Sequence, residues 1–245
     1  MLLEKMLQSQ GFGSRKHCQQ LIKNATIEID GQIITDPKHK LKLDGLHFKV
    51  HDESFEYREK VYIALNKPQG YECSHQATHH FSVFDLFDDV LLNRGIQCVG
   101  RLDQDTTGLL LLTDDGQFLQ ALTHPKKHVA KVYHMQTADP ITDEQIQQLE
   151  QGVGLRNEKG IFAATGVKRL AECELQMTVH QGVYHQVKRM LAAVGNKVEC
   201  LHRQQIGELD LITLSDLVEG RWVYLNEEQV ALAKTRHSSP HENGI

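Results

Sequence analysis

No run in this 245-residue chain approaches the roughly 20 apolar residues a helix needs to span a bilayer. The start, MLLEKMLQSQ, is charged by position 4, so no secretory leader is read there. The five cysteines, Cys18, Cys73, Cys98, Cys173 and Cys200, are scattered and form no CxxC pair. That usage fits reduced thiols in a cytoplasmic protein better than disulfides or a zinc site. The 15 histidines form no HExxH or similar paired-ligand pattern, and the glycines lack the spacing of a phosphate loop. His79-His80 reads as a surface pair. There is no internal repeat and no low-complexity tract. The expectation is no membrane, no metal and no cofactor.

Positive charge is also short. The net charge is −5, which alone counts against a nucleic-acid binder. Its distribution is uneven, however. Residues 124–134, HPKKHVAKVYH, hold Lys126, Lys127 and Lys131 and no acid, and residues 183–203 set Lys188, Arg189, Lys197 and Arg203 against Glu199. A locally basic face on an acidic chain is the expectation. At 40% hydrophobic and 24% charged the composition is that of a globular protein, long enough for two domains or one large one.

The first 44 residues read as a small unit. Leu2, Leu3, Met6 and Leu7 have helical spacing, Gly11 and Gly13 end that helix, and Ser14 caps a second with Cys18, Leu21 and Ile22 on its apolar face. TIEIDGQII then predicts a hairpin turning at Asp30-Gly31. Residues 45–58 read as a strand end and a polar linker. The second unit, 59–236, opens with an apolar strand at Val61–Leu65 and an ordered turn, NKPQG, where Pro68 excludes Lys67 from the helical region. The spacing predicts a helix ending before Pro125, strands at AKVYHMQT, ECELQMTVHQG and VECLHRQQIG, a polar helix over 141–151, and a helix over 183–194 with Tyr184, Val187, Met190 and Leu191 inward. Residues 237–245 read as a disordered tail. The fold class is α+β: a small N-terminal αα-β-hairpin domain, then a mixed, largely antiparallel sheet flanked by helices.

Three patches concentrate the chemistry: NKPQG, GRLDQDTTGLLLLT and GVYHQVKRM. The second sets Asp103 just ahead of four consecutive leucines. A carboxylate at a core edge either caps a turn or acts on a substrate, and it needs a cationic partner because desolvation would otherwise raise its pKa. Asp105 reads as loop hydrogen bonding, and Asp114-Asp115 as a turn and helix cap.

Residues 11–37 resemble an S4 RNA-binding domain. The three patches, in that order behind it, resemble pseudouridine synthases of the ribosomal small-subunit synthase A type over residues 1 to 230. The resemblance implies isomerisation of a uridine to pseudouridine in small-subunit (16S) ribosomal RNA, with no cofactor. It implies catalysis by Asp103, paired with Lys188, stacking of the base on Tyr133, support from Arg101, Lys67, Gly70 and His185, and RNA contacts from Arg15, Lys16, Lys23, Lys126, Lys127, Arg189 and Arg203. For Arg203 the alternative is bracing the loop. HQVKRM favours the small-subunit target; a large-subunit (23S) target and a non-catalytic S4-type assembly factor are the alternatives. Two departures stand out: Leu2-Leu3-Glu4-Lys5 replaces the usual Arg-Leu-Asp-Lys, and Gln181-Gly182-Val183 replaces Glu-Gly-Arg. The expected partner is ribosomal RNA in a small-subunit assembly intermediate, bound by a cytoplasmic monomer.

Overall fold

The computed structural model describes residues 1–124, 127–214 and 217–236. The expected tail and Lys126 lie outside the described residues. The chain forms two compact units, Met1–Val61 with Phe87–Gln97, and Tyr62–Leu86 with Cys98–Ile245. Among the described residues no helix is long and apolar enough to cross a membrane.

In the first unit, helices Leu3–Ser9 (α1) and Arg15–Lys23 (α2) bury Leu3, Met6, Leu7, Cys18 and Ile22 completely. The Ser14 hydroxyl caps α2 by accepting the His17 N–H. Strands Ile27–Ile29 (β1) and Gln32–Ile33 (β2) join through Asp30 and Gly31, both at positive φ, as the Asp-Gly signal predicts. The expected linker 45–58 is instead a hairpin, His47–Val50 (β3) and Glu53–Glu56 (β4), which completes a sheet in the order β2-β1-β3-β4. Its polar letters misled because one face is buried: Phe48 and Val50 point inward, and the Phe12, Phe48 and Phe55 rings pack at 4.9 to 5.8 Å. The second unit is also not continuous from residue 59. Helix Asp89–Asn93 (α3) belongs with the first unit, where Asn93 donates to the Gly11 carbonyl and Arg94 to Gln10.

The second unit follows in chain order. Tyr62–Lys67 (β5) precedes the short strands Tyr71–Glu72 (β6), Phe81–Ser82 (β7) and Gln97–Cys98 (β8). Thr106–Thr113 (β9), helix Gly116–Thr123 (α4) and Lys131–Thr137 (β10) come next, then helix Asp143–Gln151 (α5) and the short pair Val153–Gly154 (β11) and Ile161–Phe162 (β12). Thr165–Ala171 (β13), Glu174–Val179 (β14), helix Gln186–Ala193 (α6), Val198–Ile206 (β15), Leu209–Asp210 (β16), Trp222–Tyr224 (β17) and helix Glu227–Lys234 (α7) complete it. The main sheet runs β13-β14-β10-β15-β9-β5-β17, with β15–β9 its parallel pair. Leu109 to Leu112 are each 0% exposed. Four consecutive buried leucines mean that β9 is covered on both faces, a contribution of about 2 kcal/mol per side chain. On one face Leu109 and Leu111 share a cluster with Phe118 of α4 and Val230 of α7. Gly108 lets β9 approach β15: an added Cβ would sit 2.3 Å from the Arg203 carbonyl oxygen, and φ is +100°.

The loop ahead of β9 is held from below. Lys67 is 0% exposed, and its ammonium donates to the carbonyls of Pro68 (3.0 Å), Thr106 (2.8 Å) and Gln104 (3.4 Å). The Gly70 N–H adds a 2.7 Å bond to the Gln104 carbonyl. NKPQG thus clamps residues 104–106, which link Asp103 to the body of β9. Burial pushes the Lys67 ammonium down.

Two measurements test these arrangements. Lys67→Met removes the ammonium from the Pro68 and Thr106 carbonyls and the weaker of two donors from that of Gln104; the expected loss is about 3 kcal/mol, or roughly 6–12 °C in Tm. A Tm within about 2 °C of wild type contradicts the clamp. In the first unit Glu4 is buried and accepts Arg15 and Gln19. The Arg15 hydrogen bond, followed by that of Gln19, holds its carboxyl below the ordinary 4.5. Because the folded value is the lower one, the stabilisation is complete above 4.5 and is lost as pH falls through the folded value. The protection of α1 and α2 against hydrogen exchange, with the intrinsic rate at each pH divided out, therefore falls below that pH in wild type, and Glu4→Gln removes this dependence.

Candidate active site

The loop before β9 delivers Asp103 to a cleft of about 760 Å³ in the second unit. Helix α6, 85 residues further on, supplies the counter-charge. Lys188 Nζ lies 3.0 Å from Asp103 Oδ2 and 2.7 Å from Asp105 Oδ1. His185 Nε2 lies 3.1 Å from Asp103 Oδ1. All four side chains are partly exposed, from 24% for Lys188 to 47% for Asp105, so the cluster faces the cleft.

The electrostatics follow from this packing. Burial pulls the Lys188 ammonium down, but hydrogen bonds to Asp105 and Asp103 and their charges outweigh it, and the net shift is upward. Burial likewise pushes Asp105 up, and the Lys188 hydrogen bond and charge reverse it to a net lowering. The pair therefore stays charged through neutral pH. Asp105 is the residue that reading the sequence underrated: it is a partner of Lys188, not only a loop acceptor. Its signal was the alternation Asp-x-Asp, which puts two carboxylates within reach of one ammonium.

Helix α6 begins at Gln186, not at 183. His185 sits in the left-handed region at φ 51°, which turns the chain out of the helix. That conformation places the imidazole on Asp103 and leaves Tyr184 67% exposed, not inward as its spacing predicted. The Tyr184 ring stacks on His185 at 3.7 Å between centroids.

The other expected residues divide. Tyr133, 8% exposed, and Arg101, exposed, line the same cleft as Asp103. Arg203 also lines it but is 2% exposed, with Nε donating to the Leu109 carbonyl at 2.8 Å, so it belongs to the wall of the cleft and not to the open surface. Its place in the middle of β15 buries it. Arg189 is not a free cation either. It bonds Glu158, the Tyr184 carbonyl and the Arg156 carbonyl, bracing the start of α6 against the loop after β11. Lys127 is half-buried beside the end of α4. Lys16 and Lys23 are exposed on α2; Arg15 is exposed but shares its charge with Glu4.

Two further groups of the cleft carry unusual ionisation. Burial, and then the charge of Arg203, pushes the Lys131 ammonium down to about 8. Cys73 is drawn down, first by a hydrogen bond from Cys98 and also by the Leu102 N–H at 3.4 Å and the charges of Lys67 and Arg203; Cys98 is pushed up.

The comparisons with known proteins agree with this geometry. The RNA pseudouridylate synthase family model matches residues 61–193, and the S4 domain model matches residues 1–45. The ribosomal small subunit pseudouridine synthase A of Vibrio cholerae is 38% identical over 238 residues, covering 94% of this chain and 98% of the relative. The Escherichia coli K12 protein of the same name is 35% identical over 237 residues, covering 94% and 99%. A crystal structure of a pseudouridylate synthase superposes with a TM-score of 0.66 at 34% identity, covering 95% of this chain and 99% of that one. With its family domain, its leading S4 domain and near full-length relatives, the chain belongs to the RNA pseudouridylate synthase family.

Proposed function

We propose that this chain converts a uridine of small-subunit ribosomal RNA to pseudouridine, with Asp103 acting on the ribose of an extruded nucleotide. The observation that carries this reading is the Asp103–Lys188 pair, 3.0 Å apart at the edge of a cleft large enough for a nucleotide. The reaction breaks the bond from N1 to C1′, turns the base, and joins C5 to C1′; the C5 proton is lost and N1 gains one. Positive charge builds on the ribose as the first bond opens. A carboxylate there serves as nucleophile at C1′ or as base toward a ribose proton. Both roles use the carboxylate as an anion, and the ammonium of Lys188 lies 3.0 Å from it.

The uridine reaches the cleft only after leaving its stack, at a cost of a few kcal/mol. Stacking on an aromatic face offsets about 1–3 kcal/mol of it. Tyr133 is the aromatic group in the cleft that we assign to this contact. Because unstacking is least costly before the RNA is locked in place, we assign the reaction to an assembly intermediate of the small subunit. We assign RNA phosphate contacts to Lys16 and Lys23, exposed on α2, and to Arg15 beside them, and substrate support to Arg101 and His185, which line the cleft.

The test is tritium release from small-subunit ribosomal RNA labelled at C5 of uridine. Asp103→Asn is expected to lower release by at least about 10³-fold, with thermal stability and RNA affinity near wild type. Release by Asp103→Asn at the wild-type rate would exclude the mechanism. A wild type that binds the RNA and never releases tritium would favour a non-catalytic assembly factor.

A further inference from the structure

Pairing of β10 with β15 sets Tyr133 directly opposite Arg203. Directly opposed residues leave a sheet on the same face, and both line the cleft. Lys131, two residues before Tyr133 on β10, lines it too. The two ends of the cleft differ in charge balance. At the Asp103 end two carboxylates meet Lys188 and His185. At the Tyr133 end Arg203 and Lys131 have no carboxylate within ion-pair distance among the described residues. Arg203 is 2% exposed; its Nε bonds the Leu109 carbonyl, but its Nη2 is buried with no hydrogen-bond partner among the described residues. Among the described residues Lys131 Nζ bonds only the Val129 carbonyl, at 2.9 Å. Cys73, whose thiol the Arg203 charge helps to draw down, takes its own hydrogen bonds from Cys98 and Leu102.

A buried guanidinium without a counter-charge costs several kcal/mol, and an unmade hydrogen bond adds to that. Such a group is retained where a ligand supplies what is missing. The isomerisation proposed above supplies it. When the bond from N1 to C1′ opens, both bonding electrons leave with the base. Uracil then carries negative charge over N1 and its two carbonyl oxygens until C5 attacks C1′. With the ribose assigned to Asp103 and the base to Tyr133, the residue directly across the strand pair from the base's platform is Arg203.

Resting on that function, we propose that Arg203, assisted by Lys131, is a catalytic cation: its Nη2 donates to a carbonyl oxygen of the extruded uracil and stabilises the charge the base acquires as the glycosidic bond breaks. The contact is stronger in the transition state than with neutral uridine, so it acts on the chemical step more than on RNA binding. Asp103 and Arg203 thus divide the work, one at the ribose, the other at the departing base.

A leaving-group comparison tests this. Small-subunit ribosomal RNA transcripts are made with uridine or with 5-fluorouridine, whose base is the more acidic and needs less help to carry charge. With the chain in saturating excess over RNA, single-turnover rates are read on both RNAs as loss of the parent nucleoside by chromatography of the digest, because the fluorinated base rejoins through C5 with its fluorine in place and has no C5 proton to lose. RNA affinity and Tm are measured beside them. On uridine, Arg203→Gln is expected to slow the reaction by about 100-fold or more with affinity within about threefold, and Arg203→Lys to recover part of the rate. On 5-fluorouridine the Arg203→Gln deficit is expected to shrink to below about tenfold. Equal deficits on the two bases, or a loss confined to RNA affinity, would overturn the proposal. If Arg203→Gln does not fold, Arg203→Lys and Lys131→Gln replace it: a deficit that shrinks on 5-fluorouridine supports the role, and equal deficits overturn it. A wild type inert on both RNAs would overturn the parent function and this role together, whereas an active wild type with equal deficits overturns this role alone.

Discussion

A single ammonium group, that of Lys188, joins the two halves of the cleft. It crosses 85 residues of sequence to reach Asp103 and also takes Asp105, so the loop before β9 and the start of α6 are fixed to each other by charge. Surface ion pairs of this exposure add little to stability. The value of this one lies in placement. It holds Asp103 at a defined position over the cleft, and its hydrogen bond and charge keep Asp105 in the charged form. His185 completes the arrangement through a left-handed backbone, a strain of the kind that persists where surrounding contacts over-determine it.

The rest of the second unit supplies the rigidity this pair requires. Buried Lys67 binds three carbonyls around the Asp103 loop. Gly108 lets β9 lie close against the Arg203 backbone, and the Arg203 side chain in turn bonds Leu109. Arg189 ties the start of α6 to the loop after β11. Each of these cations satisfies backbone carbonyls or a carboxylate within the unit. A chain with net charge −5 therefore commits part of its positive charge to internal architecture. Lys16 and Lys23 on the exposed face of α2, and Arg203 and Lys131 at the Tyr133 end of the cleft, are among the cations that have no carboxylate partner among the described residues.

Much of this was legible in the amino-acid sequence, for identifiable reasons. Leu109–Leu112 announce a segment buried on all sides, and the turn residues Asp114, Asp115 and Gly116 that close it keep it to strand length. Asp30-Gly31 announces a turn because few residue pairs accept two positive φ angles. The Asp103–Lys188 proximity came from the resemblance, since no periodicity links residues so far apart. What escaped was set by tertiary contact. β3 and β4 look polar because only Phe48, Val50 and Phe55 touch the core. The start of α6 hinges on one φ angle at His185, which no spacing reveals. Arg189 and Arg203 read as RNA-facing cations, and only the packing shows one bound to a neighbouring loop and the other buried in the wall of the cleft with Nε on the Leu109 carbonyl.

The most direct test of the account is a map of pseudouridine across small-subunit ribosomal RNA from cells that lack this chain. The account predicts that one position reverts to uridine, returns with the wild-type chain, and does not return with Asp103→Asn at equal abundance. A map unchanged by the loss of the chain, or restored in full by Asp103→Asn, would contradict it.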